Sequence, residues 1–205
     1  MTRFTDIPIV SIGTSDYTHK FMSFKINETA EPIRFQIPRL YLPFGISKYT
    51  PPVGQDRWTM DMNLTGWDKD TYVGTFYNFI RDIENIVIDS VKDQSSSIFG
   101  SPVDRENIVK MFNSNIKISN GYDPKFRIKY LPHSTDIFND DGEYDVDFTL
   151  EDGVLAKYNV TCLVELTGIY FLNKMFGITW KLIQFKYSTP RIEEEPSTLK
   201  GFHFL

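Results

Sequence analysis

The chain has a single cysteine, Cys162, in 205 residues, so no disulfide can form within it. The apolar run from Val160 to Leu166 around that residue suits a small buried hydrophobe. No secretory apolar core lies between Met1 and Gly13, and no apolar stretch approaches the roughly 20 residues that a membrane span requires. An intracellular protein, not secreted and without membrane contact, is the expectation. The three histidines, His19, His133 and His203, are scattered and cannot set two ligands on one helix or strand face. There is no phosphate-cradling glycine loop followed by Lys-Ser/Thr, no Gly-x-Ser-x-Gly elbow and no dinucleotide fingerprint. The pairs Asp68/Asp70 and Asp145/Asp147 read as a helix cap and a wet strand face before they read as cation ligands. The segment around Asp141-Gly142 fails the calcium-loop pattern because Ile137 stands at the first ligand position. No catalytic residue, metal or cofactor is therefore expected, and the chain reads as a binding protein rather than an enzyme.

Alanine is scarce, while aromatic residues make up 15% of the chain, with 17 Phe and 11 Tyr, a balance that points to strands. The length suits one domain, residues 1–190, followed by a tail at 191–205. Period-two runs at Phe21 to Ile26, Ile33 to Leu42 and Trp58 to Leu64 predict strands, and the Pro/Gly-rich stretch from Pro43 to Gly54 predicts a projecting loop. A long helix is predicted from an Asp68 or Asp70 cap to about Asp93, on the three- and four-residue spacing of Tyr72, Val73, Phe76, Phe79, Ile80, Ile83, Ile86, Val87 and Val91. A polar linker at Gln94 to Ser97 precedes a short helix from Pro102 to Phe112, with Ser101 as its cap. Further strands are predicted at Lys125 to Leu131, in a hairpin turning at Asn139-Asp140-Asp141-Gly142 toward Tyr144 to Leu150, at Lys157 to Leu166 and at Phe176 to Tyr187. One long inserted helix and one short helix among many strands predict a mostly β, α+β fold. The favoured architecture is a five-stranded oligonucleotide-binding barrel with extra strands, a jelly roll or sandwich being the alternative.

Net charge is −5, which by itself opposes a polyanionic partner. The distribution is uneven. Asp136, Asp140, Asp141, Glu143, Asp145, Asp147, Glu151 and Asp152 fall in one segment without Lys or Arg, and setting those eight aside leaves 19 acids against 22 bases. Segregation of this kind permits a basic face opposite an acidic one.

The run from Ile169 to Tyr187 interleaves rings with lysines, as a surface that stacks unpaired bases and neutralises phosphates requires. Alternation at Lys125 to Leu131 puts Lys125, Arg127 and Lys129 on one face and Phe126, Ile128 and Tyr130 on the other. Candidate nucleic-acid contacts are Arg39, Tyr41, Lys48, Tyr49, Lys125, Arg127, Lys129, Tyr130, Lys174, Lys181, Lys186 and Tyr187. Trp58, Phe126 and Trp180 read as core, and any lysine has a solvated face as its bland alternative. The tail joins Glu193, Glu194 and Glu195 to the terminal aromatics Phe202 and Phe204, a composition that would dock on partner proteins or compete for a basic groove, or else pack as a terminal plug.

The segments Pro38 to Gly45, Trp58 to Leu64, Pro124 to Lys129, Phe176 to Gln184 and Leu199 to Phe204 resemble proteins encoded by large nucleocytoplasmic DNA viruses of eukaryotes, some of which are similar to the single-stranded-DNA-binding protein of phage T7. The resemblance implies an oligonucleotide-binding barrel and a non-enzymatic role in viral DNA replication or recombination. It also implies single-stranded DNA as partner, replication proteins met through the tail, and a location in the host cell's viral replication compartment. A homo-oligomer is compatible with it. The alternative is a β-rich viral structural or assembly protein that makes protein contacts through its aromatic surface.

Overall fold

The computed structural model describes residues 2–29 and 32–189. Two short helical turns, Phe4–Asp6 and Ile9–Ser11, lead into strands β1 (Ile12–Thr14), β2 (Phe21–Ile26), β3 (Ile33–Gln36), β4 (Leu40–Leu42), β5 (Ile46–Tyr49) and β6 (Arg57–Asn63). Helices α1 (Tyr72–Asp93), α2 (Ser95–Phe99) and α3 (Arg105–Met111) follow. The chain then returns to strands β7 (Ile116–Ser119), β8 (Tyr122–Tyr130), β9 (Asp136–Phe138), β10 (Tyr158–Leu172) and β11 (Met175–Ser188).

Five strands close on themselves. β4 pairs with β6, β6 with β8, β8 with β11 in parallel, β11 with β10, and β10 again with β4. The result is a mostly β, oligonucleotide-binding-type barrel with extra strands, as the composition leads one to expect. Closure is possible because β10 is long enough to serve β4 at its start, β3 in its middle and β2 near its end. Strand alternation sends Met60, Met62, Phe126, Ile128, Val160, Cys162, Val164 and Trp180 inward, all at 3% exposure or less.

Helix α1 packs against the barrel. Its apolar stripe buries Phe76, Phe79, Ile80, Ile83, Val87 and Val91. Phe76 meets Phe126 edge-on at 5.6 Å, Phe79 meets Phe35 at 5.3 Å, and Trp180 stands edge-on to both Phe35 and Phe126. Helix and barrel therefore share one aromatic core.

Several expectations are corrected. The α1 cap is Thr71, whose hydroxyl accepts from Gly74 N at 3.0 Å, because the turn that bonds Lys69 N to Gly66 O leaves Asp68 and Asp70 ahead of the helix start. A Cβ at Gly74 would overlap the Lys69 carbonyl, so glycine lets that turn fold back on the helix. The short helix begins at Arg105 with Asp104 as its cap, not at Pro102 with Ser101, and Gln94–Ser97 is largely taken up by α2. The predicted projecting loop contains β5, which pairs with β6 despite its flanking prolines because those lie outside the ladder. Pro38 divides the predicted strand Ile33 to Leu42 into β3 and β4. Tyr144 to Leu150 forms no strand, only a bridge from Tyr144 to Phe138.

Phe126 is fully buried between Phe76 and Trp180. Phe126→Ala is expected to lower unfolding free energy by about 3 to 5 kcal/mol, read from urea denaturation; a loss under about 1 kcal/mol would show that α1 and the barrel do not share a core.

Candidate nucleic-acid interface

With Met60, Met62, Phe126 and Ile128 turned inward, β6 and β8 present the cross-strand pairs Thr59/Lys129, Asp61/Arg127 and Asn63/Lys125 on their outer face. The Arg127 fork donates from Nε and Nη2 to the two Asp61 carboxylate oxygens, each at 2.6 Å. That pairing, opposed in part by burial, holds the guanidinium pKa above its ordinary value and fixes its plane.

A cleft of about 950 Å³ lies on this face, between the β5–β6 hairpin and the end of β8. Tyr49, Arg57, Trp58 and Lys129 line it. It shares Thr59, Asn113, Arg127 and Lys129 with a smaller hollow of about 120 Å³ that reaches Lys117 and Tyr170. The two form one groove running across the strands from β5 toward β10. Arg57, Lys117, Arg127 and Lys129 line it against one carboxylate among the described residues, Asp56. Asp56 is itself bound by Lys48 at 2.8 Å, and hydrogen bonds from Lys48 and then Thr50 hold its carboxyl below the usual range. The Lys48 ammonium also lies over the Trp58 ring, 5.5 Å from its centroid.

At the other end, Tyr170 of β10 pairs with Gly177 of β11. A Cβ at residue 177 would come within 2.7 Å of the Tyr170 hydroxyl and 2.9 Å of its ring, so the missing side chain is what lets the ring lie across β11 toward β8. Asn113 Nδ2 donates to the hydroxyl at 3.0 Å, and Lys129 Nζ stands 6.0 Å from the ring centroid. The ring is thus held at one edge and flanked by a cation.

Beneath the hollow, Glu84 of α1 is 1% exposed and accepts from Ser114 Oγ and from Arg81 Nη1. Burial raises its carboxyl above the ordinary value, and the bonds from Ser114 and Arg81 pull it back. Lys117 donates to Asn113 Oδ1 at 2.9 Å; burial first, and then the Arg127 charge, lower its ammonium pKa. The acidic segment flanks the opposite, β5 side instead of facing away from the groove. Asp152 accepts from Lys48 N at 2.7 Å, and Asp145 lies in an adjoining cleft that shares Trp58 and Tyr130 with the groove.

The candidates read from the sequence separate into groups. Tyr49, Arg127 and Lys129 line the groove, Lys48 borders it, and Lys181 stands in register with Lys129 on β11. Lys125 lies further along β8, its ammonium 5.5 Å from the Phe44 ring centroid and 5.7 Å from that of Tyr122. Tyr41 sits on β4 opposite Asn63. Tyr130 shares parity with Phe126 and Ile128 and is 3% exposed, edge-on to Phe185, so it meets the groove only as a buried part of its wall. Arg39 and Lys186 line a different cleft of about 610 Å³, near the β9 side of the barrel. Tyr187 donates to Asp145 at 2.7 Å, a bond that together with burial pushes its phenol up to about 12. Lys174 is in the β10–β11 turn. Glu193, Glu194, Glu195, Phe202 and Phe204 lie outside the described residues. Trp180, Phe126 and Cys162 are buried, as their apolar neighbours predict, whereas Trp58, expected in the core, is half-buried and lines the groove. Arg57, Lys117 and Tyr170 were not among the candidates. Arg57 precedes a recognisable strand and could have been included, whereas Lys117 and Tyr170 depend on pairings that no local pattern shows. Among the described residues, no group of three His, Cys, Asp or Glu side chains could hold a metal ion, and no helix is long and apolar enough to cross a membrane.

A model described as a family of unknown function (DUF5871) matches residues 72–200. No curated protein matches the sequence. Among solved structures, the single-stranded DNA-binding protein of bacteriophage Enc34 in complex with ssDNA is similar at 10% identity, over 87% of this chain and 96% of that one, with a TM-score of 0.43. The single-stranded DNA-binding protein of bacteriophage T7 is similar at 9% identity, over 85% of this chain and 100% of that one, with a TM-score of 0.47. Identities this low transfer no site residue from one chain to another.

Because the Glu84 pKa is raised on folding, its contribution to stability is fully present below the unfolded carboxyl value and is lost as pH rises through the folded one. Glu84→Gln removes that titration. The stability of the variant relative to the parent should therefore increase as pH rises above the ordinary carboxyl value of 4.5 in urea melts. A difference independent of pH would refute the assignment.

Proposed function

The chain belongs to the DUF5871 family, and we propose that it binds single-stranded DNA without sequence preference along the groove that crosses β5, β6, β8 and β10. One observation carries the reading: ring faces and cations occupy a single continuous track, with Tyr49 and Arg57 at one end, Arg127 and Lys129 in the middle, and Tyr170 beside Lys117 at the other. Rings can stack on bases only where bases are unpaired, so a single strand fits this surface better than a duplex does. Each stacked base contributes about 1 to 3 kcal/mol whatever its identity, which gives affinity without sequence readout. Lysine and arginine beside the rings neutralise the phosphates between those bases. Thr59 and Asn113 supply neutral polar groups for the sugar-phosphate chain.

We further propose that the protein covers unwound strands during viral DNA replication or recombination, as the motif resemblance to proteins of large nucleocytoplasmic DNA viruses suggests. Non-specific stacking suits that task, because the protein must bind whatever sequence unwinding exposes.

Fluorescence anisotropy with labelled oligo(dT) tests the reading. Affinity should fall with salt at a slope of about 0.7 per neutralised phosphate, and the Arg57→Ala/Lys129→Ala pair should lower that slope by about 1.4. Tyr170→Ala should weaken binding about 5- to 150-fold, while Tyr170→Phe should retain most of it. Absence of oligo(dT) binding by the parent at low salt would end the proposal.

A further inference from the structure

A separate cleft of about 560 Å³ opens at the tip of the β10–β11 hairpin, where it is lined by Phe171, the next residue after Tyr170 and on the other face of β10. Lys20 and Lys174 line it together with Tyr17, Phe99, Phe171 and Met175, and no carboxylate lines it among the described residues. Tyr17 and Phe171 pack edge-on at 5.0 Å, which fixes the aromatic wall. The composition is that of the groove: fixed rings with cations at the mouth.

Both lysines occupy unusual backbone. Lys20 has φ 63° after His19 at 49°, and Lys174 has φ 64° after Asn173 at 50°. These are two-residue turns whose second position ordinarily takes glycine, since a Cβ there is disfavoured. The third such turn, Asn27-Glu28, does not line the cleft and carries a glutamate instead. Two turns distant in sequence thus each hold a lysine, in a strained conformation, at the mouth of one cleft.

The outer face carries rings as far as the turn that holds Lys20. Tyr170 pairs with Phe21 of β2 on the outer face, and Phe21 directly follows Lys20. The Phe21 ring, 41% exposed, lies over Gly168, where a Cβ would overlap it. Tyr170 over Gly177 and Phe21 over Gly168 are therefore two successive rings, each laid across a glycine of the neighbouring strand. On the other side, carboxylates of the acidic segment border β5, so a bound polyanion is favoured toward the hairpin tip.

We infer that this cleft is a second subsite for the same strand: bound single-stranded DNA leaves the groove over Tyr170 and Phe21, and its next nucleotides enter between Lys20 and Lys174. The inference rests on the reading of the groove as a single-stranded-DNA site. Two phosphates are neutralised at the mouth, and a base packs against Phe21 or the apolar wall. The subsite lengthens the stretch of DNA that one molecule occupies.

The test compares oligo(dT) of about 6 and about 16 nucleotides, lengths that bracket the range for one such barrel. The variants are Lys20→Ala/Lys174→Ala and Phe21→Ala, with circular dichroism melts to verify folding. For the longer oligonucleotide, each variant should weaken binding about tenfold or more, and the double lysine variant should lower the salt slope by about 1.4. For the shorter one, which the groove alone accommodates, affinity should stay within about twofold of the parent. Parent binding to both lengths with no change in the variants would overturn the subsite and leave the groove standing. No parent binding to either length would overturn both. If the lysine variant keeps its full DNA affinity but loses self-association in sedimentation, the cleft is a protein contact and the inference fails.

Discussion

The groove depends on the register between β10 and β11. These strands pair from Asn159/Ser188 to Leu172/Met175 around a two-residue turn, and the pairing brings Tyr170 over Gly177 while sending Trp180 and Leu182 inward. Side chains alternate with a period of two, so a slip by one residue would turn the core residues out and bury the ring. The two irregularities in the ladder, between Leu163 and Val164 and between Leu166 and Gly168, bend the strands at the point where β10 passes from barrel wall to extended arm. One pairing thus produces both closure and the surface laid over it.

Local patterns revealed much of this and failed for identifiable reasons. The alternation in Lys125 to Leu131 was legible because one face of β8 is core and the other solvent, and it located Arg127 and Lys129 correctly on the outer face. The α1 stripe was legible for the same reason at helical spacing. Tyr170 was not, because its exposure depends on a glycine seven residues later, across a turn with no glycine or proline to mark it. Arg39 and Lys186 resemble Lys129 in sequence context, yet closure of the barrel carries them to a different cleft. Whether a lysine faces the groove is decided by which strands are neighbours around the ring, and that is non-local information.

Electrostatics divides along the same lines. The acidic segment is mostly irregular, and its carboxylates serve structure: Asp145 accepts from Tyr187, Asp140 from Thr189, and Asp152 from the β5 backbone. Its negative charge borders one end of the groove. A net-negative chain can therefore still present a cationic track, because the acids beside that track are already bound, Asp61 by Arg127 and Asp56 by Lys48.

Cys162 is fully buried, its sulfur 3.8 Å from that of Met62, and burial drives its thiol pKa far upward. The folded chain thus hides its single native sulfhydryl from maleimides and other alkylating reagents. A cysteine engineered onto the surface would be the sole handle for a fluorophore or spin label, with no need to remove the native one first.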